Sequence, residues 1–105
     1  MTYKVEISRF AQLHFDKYID YILDKFKSKQ AARNLIIDFK ETIKILSLVP
    51  EAYPFLEDED LRRKNLRRIS FQKHKYVIIY HILGENVVYV DAIYHTLQDY
   101  MNILK

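Results

Sequence analysis

Four histidines and a run of cations are the side chains of this sequence with the most chemistry to offer. His14, His74, His81 and His95 are the only side chains whose ordinary titration falls near neutral pH. Their spacing matches no metal-ligand pattern, and with no cysteine neither a thiolate site nor a disulfide framework can form. A single glycine leaves no Gly-rich phosphate loop. No metal and no cofactor is therefore expected. His95 differs from the other three because it ends an apolar run where the chain turns. There it can exchange a proton while neighbouring cations hold a phosphate and stabilise its developing charge; the alternative is a histidine that only caps or packs. The cations are concentrated. From Arg62 to Lys75 there are seven Lys or Arg residues and no acid, directly after Glu57-Asp58-Glu59-Asp60. Arg62, Arg63, Lys64, Arg67 and Lys73 are candidates for a patch that takes phosphates or an acidic protein surface, against the alternative of a solvated loop with segregated charge.

The elements that must position these groups follow from the pattern around them. Lys75-Tyr-Val-Ile-Ile-Tyr-His-Ile-Leu83 and Val87-Val-Tyr-Val-Asp-Ala-Ile-Tyr-His95 are rich in Val, Ile and Tyr and flank Gly84-Glu85-Asn86, which predicts a β-hairpin. A three-residue loop sets Tyr76 opposite Tyr94, Ile78 opposite Ala92, Tyr80 opposite Val90 and Ile82 opposite Val88, one wholly apolar face. Asn86 takes the left-handed position of that loop. The opposite face then carries Lys75, Val77, Ile79, His81 and Leu83 against His95, Ile93, Asp91, Tyr89 and Val87, and it sets Lys75 across from His95. A preceding strand, Leu66 to Phe71, turns Ile69 and Phe71 inward and Arg68 and Ser70 to the other face. This half-polar face is the expected working surface. His95, Arg68 and Lys75 are its candidate catalytic groups, joined by Tyr100, which either packs in the core or stacks on a base.

Upstream, Tyr3 to Ser8 alternates as a first strand. Ser8 is placed to cap a helix in which Ala11, Phe15, Tyr18, Ile19, Ile22 and Phe26 recur at helical spacing. Ser28 restarts a second helix with the stripe Ala32, Leu35, Ile36, Phe39, Ile43 and Leu46, which ends near Leu48 because Pro50 cannot continue it. Residues 49–65 read as a loop with a short helical turn from Asp58 to Arg63. Leu97, Tyr100, Met101 and Leu104 predict a short C-terminal helix. The fold class is α+β, in the order β-α-α-β-β-β with a final α, as a helical hairpin packed on one face of a small, largely antiparallel sheet. At 105 residues and a net charge of +3 the chain is expected to form a single domain over 1–105. The alternation at the amino terminus is unlike a signal peptide and no apolar run is long enough to span a bilayer, so a soluble cytoplasmic protein without membrane partners is expected.

The Leu66-Arg-Arg-Ile69 strand, the Lys75-Tyr-Val-Ile-Ile-Tyr80 strand and the ending Ala92-Ile-Tyr-His-Thr-Leu-Gln-Asp-Tyr100 resemble the RelE/ParE superfamily of toxins from bacterial type II toxin-antitoxin modules. The likeness extends to Val5-Glu-Ile-Ser8, Tyr18-Ile-Asp-Tyr-Ile22 and Leu48-Val-Pro-Glu-Ala-Tyr-Pro54. It implies a toxin neutralised by a cognate antitoxin protein. RelE-like members cut messenger RNA on the ribosome with basic side chains, often with a Tyr or His; ParE-like members inhibit DNA gyrase. In RelE-like proteins a basic residue commonly follows the Tyr that opens the third strand, where this chain has Val77, and another follows the last strand, where it has Thr96-Leu97-Gln98. Both departures favour the ParE-like reading, with gyrase as target, over a metal-independent mRNA endoribonuclease acting with the ribosome. A basic nucleic-acid-binding module without toxicity is the remaining class, and the resemblance disfavours it.

Overall fold

The computed structural model describes residues 2–104 and orders them as β1 (Lys4–Ile7), α1 (Arg9–Phe26), α2 (Lys29–Leu48), a 3-10 turn (Pro50–Ala52), α3 (Glu59–Arg63), β2 (Arg67–Ser70), β3 (Tyr76–Leu83), β4 (Val87–His95) and α4 (Tyr100–Leu104). The strands form one sheet in the order β1-β4-β3-β2, with β1 parallel to β4 and the other pairs antiparallel.

Two serines start the long helices. The Ser8 hydroxyl accepts from the Ala11 N–H and the Ser28 hydroxyl from the Ala31 N–H, each satisfying an amide that the first helical turn leaves unpaired. Between them Lys27 adopts a left-handed conformation (φ 50°) that closes α1, so only Lys27 and Ser28 join α1 to α2. The predicted stripes face the sheet except at Phe26, which ends α1 and is exposed. Ala11, Phe15 and Ile22 from α1 and Ala32, Leu35, Phe39 and Leu46 from α2 pack with Ile69, Phe71, Tyr76, Ile78, Tyr80, Val88, Val90 and Ile93. Phe15 stacks on Phe39 at 4.4 Å between centroids, and Phe71 closes against both.

The hairpin departs from the expected register over half its length. From Leu83 back to Tyr80 the pairing is as predicted, with Tyr80 opposite Val90 and Ile82 opposite Val88. A bulge then leaves Asp91 without a partner across the strand, so Ile79 meets Ala92, Ile78 meets Ile93, Val77 meets Tyr94 and Tyr76 meets His95. One extra residue reverses the parity of everything after it. Tyr94 and Ala92 therefore leave the helix side, Ile93 joins it, and Lys75 stands beside Thr96, whose N–H donates to the Lys75 carbonyl at 2.9 Å. Lys75 is not across from His95. In the turn, Gly84 rather than Asn86 takes the left-handed conformation (φ 59°).

The face opposite the helical hairpin is also different from the half-polar surface expected. Its lower half is a second apolar core, in which Val77, Ile79, Ala92 and Tyr94 are covered by Leu56, Leu61 and Leu66, with Tyr100, Met101 and Leu104 of α4 packed alongside. The amphipathic turn at Asp58 to Arg63 does form, with Asp58 as its N-cap, and its Leu61 is fully buried. Leu97 does not join α4; it stands 85% exposed in the turn before it. On the upper half of this face His81, Tyr89 and Asp91 are half-buried and Leu83 is exposed.

Candidate functional site

His95 closes β4 at a corner assembled from α1, β3 and the turn before α4. Its ring meets the Tyr76 ring edge-on at 5.1 Å, and Tyr76 in turn meets Tyr18 at 4.8 Å. Gln98 organises the turn: its side-chain carbonyl accepts the His95 N–H at 2.8 Å and the Tyr18 hydroxyl at 2.7 Å. The Leu97 N–H donates to His95 Nδ1 at 3.1 Å. A backbone amide can only donate, so Nδ1 holds a lone pair and the proton of the neutral ring sits on Nε2. Held this way, the ring caps the turn. Burial raises the Tyr18 and Tyr76 hydroxyls above the ordinary tyrosine value, so both are protonated donors at neutral pH.

The other predicted catalytic groups are not gathered around this corner. Arg68 lies on β2, separated from β4 by β3, and on the face opposite Ile69 and the helices. Its Nε is buried and has no acceptor. Lys75 is exposed just before β3. Tyr100 stacks on Tyr94 (5.9 Å, 8° between planes) and packs, partly buried, against the second core.

The basic run is divided by structure into different environments. The Arg67 and Arg62 guanidinium groups lie over the Phe55 ring at 3.9 and 5.0 Å, and Arg67 also donates to the Tyr53 carbonyl at 2.7 Å and the Glu51 carbonyl at 3.3 Å. Arg63 pairs with Glu59 at 3.7 Å and Asp60 at 3.9 Å, both exposed contacts on α3. Lys64 caps α3 through its backbone, and Lys73 is exposed in the turn between β2 and β3. Arg62, Lys64 and Lys73 thus present charge to solvent, Arg67 is spent on holding the loop, and Arg63 is partly neutralised by its own helix.

Two histidine–carboxylate pairs were not anticipated. His74 Nδ1 lies 2.7 Å from Asp38 Oδ2, and the same carboxylate accepts the Gln72 N–H at 2.9 Å and the Lys73 N–H at 2.8 Å. Burial raises the Asp38 carboxyl, but the His74 ring and the Lys73 and Gln72 amides outweigh it and hold it below the ordinary aspartate value. The signal was an acid within the apolar stripe, since Asp38 and Thr42 share the spacing of Leu35 and Leu46. His81 Nδ1 lies 2.7 Å from Asp91 Oδ2, where burial pushes the Asp91 carboxyl up against the pull of that hydrogen bond. This pair exists because the bulge frees Asp91, which no periodicity announces. Among the described residues, no group of three or more His, Cys, Asp or Glu side chains comes together to hold a metal, and no helix is long and apolar enough to cross a membrane.

The fold is a two-helix hairpin over a four-stranded sheet, closed beneath by short helices. A chain from the chromosomal ParDE toxin-antitoxin system of P. aeruginosa matches it with a TM-score of 0.73 over 89% of this chain and 95% of that one, at 15% sequence identity. That likeness is one of fold. Among curated proteins, none matches the sequence. Residues 5–100 match the family described as the ParE toxin of the type II toxin-antitoxin system parDE, and the chain belongs to that family. It is the toxin half of a toxin-antitoxin pair, and its natural protein partner is the cognate antitoxin. The α+β fold and the ParE-like side of the resemblance both hold.

Proposed function

We propose that this toxin acts in the cytoplasm by inhibiting DNA gyrase and is released from inhibition by loss of its antitoxin. The observation that carries the reading is the His95 corner. A nuclease of the RelE kind brings a proton-exchanging group and cations to one phosphate, whereas here the His95 ring is committed to the Leu97 amide and to Tyr76, and Arg68 lies on the other face of the sheet. Membership of the parDE family supports the same target. Arg62, Lys64 and Lys73 then serve as binding rather than catalytic cations, able to meet an acidic protein surface or the DNA that gyrase holds.

The test is a paired assay on one preparation. Purified toxin is added to gyrase with relaxed plasmid, and separately to translating ribosomes with a defined message. Loss of supercoiling with intact message is the expected result. Cleaved message with normal supercoiling overturns the reading in favour of the ribosome-dependent endoribonuclease.

A further inference from the structure

The turn from His95 to Gln98 is closed by hydrogen bonds of two kinds. The Gln98 N–H donates to the His95 carbonyl at 3.0 Å, and the Gln98 side-chain carbonyl takes the His95 N–H and the Tyr18 hydroxyl. The Thr96 N–H is held on the Lys75 carbonyl at 2.9 Å. All of these acceptors are carbonyl oxygens, which do not titrate. The Leu97 N–H is different: it donates to His95 Nδ1, and among the described residues it has no other acceptor. An imidazole nitrogen accepts only while the ring is neutral, because the imidazolium carries a proton on both nitrogens. Protonation of His95 therefore sets two N–H donors against each other across 3.1 Å.

This one bond bears on the most exposed large apolar side chain among the described residues. Leu97 stands 85% in solvent at the tip of the turn, and α4 begins three residues later at Tyr100. The ring has little room to move away from the clash, since its edge rests on Tyr76, which packs in turn on Tyr18 and Phe71. The titratable and charged residues around it are Lys75 and Tyr76 from β3, His14, Tyr18 and Tyr21 from α1, and Asp99 before α4. His14 Nδ1 lies 3.1 Å from the Ile93 carbonyl, a donation that an imidazole and an imidazolium can both make. Asp99 takes the Asn102 side chain at 2.6 Å, and burial keeps the Tyr18 and Tyr76 hydroxyls protonated. Of these groups, only His95 accepts a bond within the turn at an atom that protonation would occupy.

We propose that the turn from His95 to Gln98 is a proton-operated latch. With the ring neutral, the Leu97 amide closes the turn onto Nδ1 and fixes the Leu97 side chain in place. With the ring protonated that bond is lost, and the segment carrying Leu97 into α4 loosens from its seat against α1. The latch is independent of whether gyrase is the target.

The experiment is a pH titration of the full-length toxin by NMR, read at the histidine ring nitrogens and at the backbone amides. At about pH 7.5 the His95 ring should carry its proton on Nε2. Lowering the pH to about 5.5 should move the Leu97 and Gln98 amides with the His95 midpoint. Protection of the Leu97 amide, corrected for the intrinsic pH dependence of exchange, should fall roughly tenfold over the same range. His95→Asn places a carbonyl oxygen where Nδ1 stands, an acceptor that does not titrate, so Leu97 protection should hold at both pH values. His95→Ala, without an acceptor, should show the acid value at both. The proposal is overturned if the neutral ring carries its proton on Nδ1, or if Leu97 protection is unchanged through the His95 midpoint. It is overturned equally if His95→Asn loses protection in acid as the parent does, which would assign the opening to another group.

Discussion

Replacing Asp38 by Ala tests how the turn between β2 and β3 is held against α2. The carboxylate is 1% exposed and accepts three hydrogen bonds, from the Gln72 and Lys73 amides and the His74 ring, within 2.9 Å. These contacts fix the chain just after Phe71, which packs on Phe15, Phe39 and Tyr76. Truncation removes the acceptor for two partly buried amides, each worth about 1–3 kcal/mol when left unsatisfied, and Thr42 gains nothing because it already bonds the Asp38 carbonyl. Water entering the vacated space recovers part of this. The expected loss is about 3 kcal/mol, which is a large share of the roughly 5–15 kcal/mol that stabilises a small domain. Asp38→Asn keeps the shape and one acceptor but turns an NH₂ toward a donor, so a loss of about 2 kcal/mol is expected.

The pH dependence has a definite sign. The Asp38 carboxyl is held below its ordinary value in the folded chain. Its contribution is therefore complete above the unfolded aspartate pKa of about 3.9 and disappears as the pH falls through the lower folded value. Urea unfolding at pH 7, pH 5 and below pH 4 reads this directly. Asp38→Ala should have a lower midpoint than the parent at pH 7 and pH 5 with an unchanged slope, and the gap should narrow only in acid. A gap under about 0.5 kcal/mol at pH 7, or one that stays constant into acid, would refute the clamp.

Two further outcomes follow from the same packing. Tyr94→Ala empties a position that is 2% exposed in the second core and removes the surface on which Tyr100 stacks, so a loss of about 3–5 kcal/mol in chemical unfolding is expected, with α4 amides exchanging faster than those of α1. Ser8→Ala removes the acceptor for the Ala11 N–H and the donor to the Asp91 carbonyl, and should lower stability by about 1–2 kcal/mol in the same measurement, whereas a loss below about 0.3 kcal/mol would mean that water replaces the cap.

Most of the helix side of this fold is legible in the chain because each helix signal is local. Ser8 and Ser28 sit one residue before their helices, Pro50 lies just beyond Leu48, and the caps form where those residues stand. The two histidine–carboxylate pairs differ in this respect. Asp38 can be noticed within a stripe, but its partners lie over thirty residues away and are fixed only by the sheet.

The candidate site failed to assemble for a reason that concerns a single residue. Side-chain parity along a hairpin extends a known register only as far as the ladder stays regular, and the loop at Gly84 to Asn86 sets it correctly for the first four pairs, from Leu83 to Tyr80. Asp91 then drops out of the ladder. An aspartate gains little from a pleated apolar position, and here it gains the Ser8 hydroxyl on its carbonyl and the His81 ring on its carboxylate. Beyond it the faces exchange, so Tyr94 goes to the second core and His95 to Tyr76 and the Leu97 amide. An uninterrupted ladder would have set Lys75 against His95 on one open face, which is the arrangement phosphate chemistry needs. The bulge thus separates the groups a nuclease would use and gives this toxin a closed, packed surface in their place, which is the physical argument for a target met by binding.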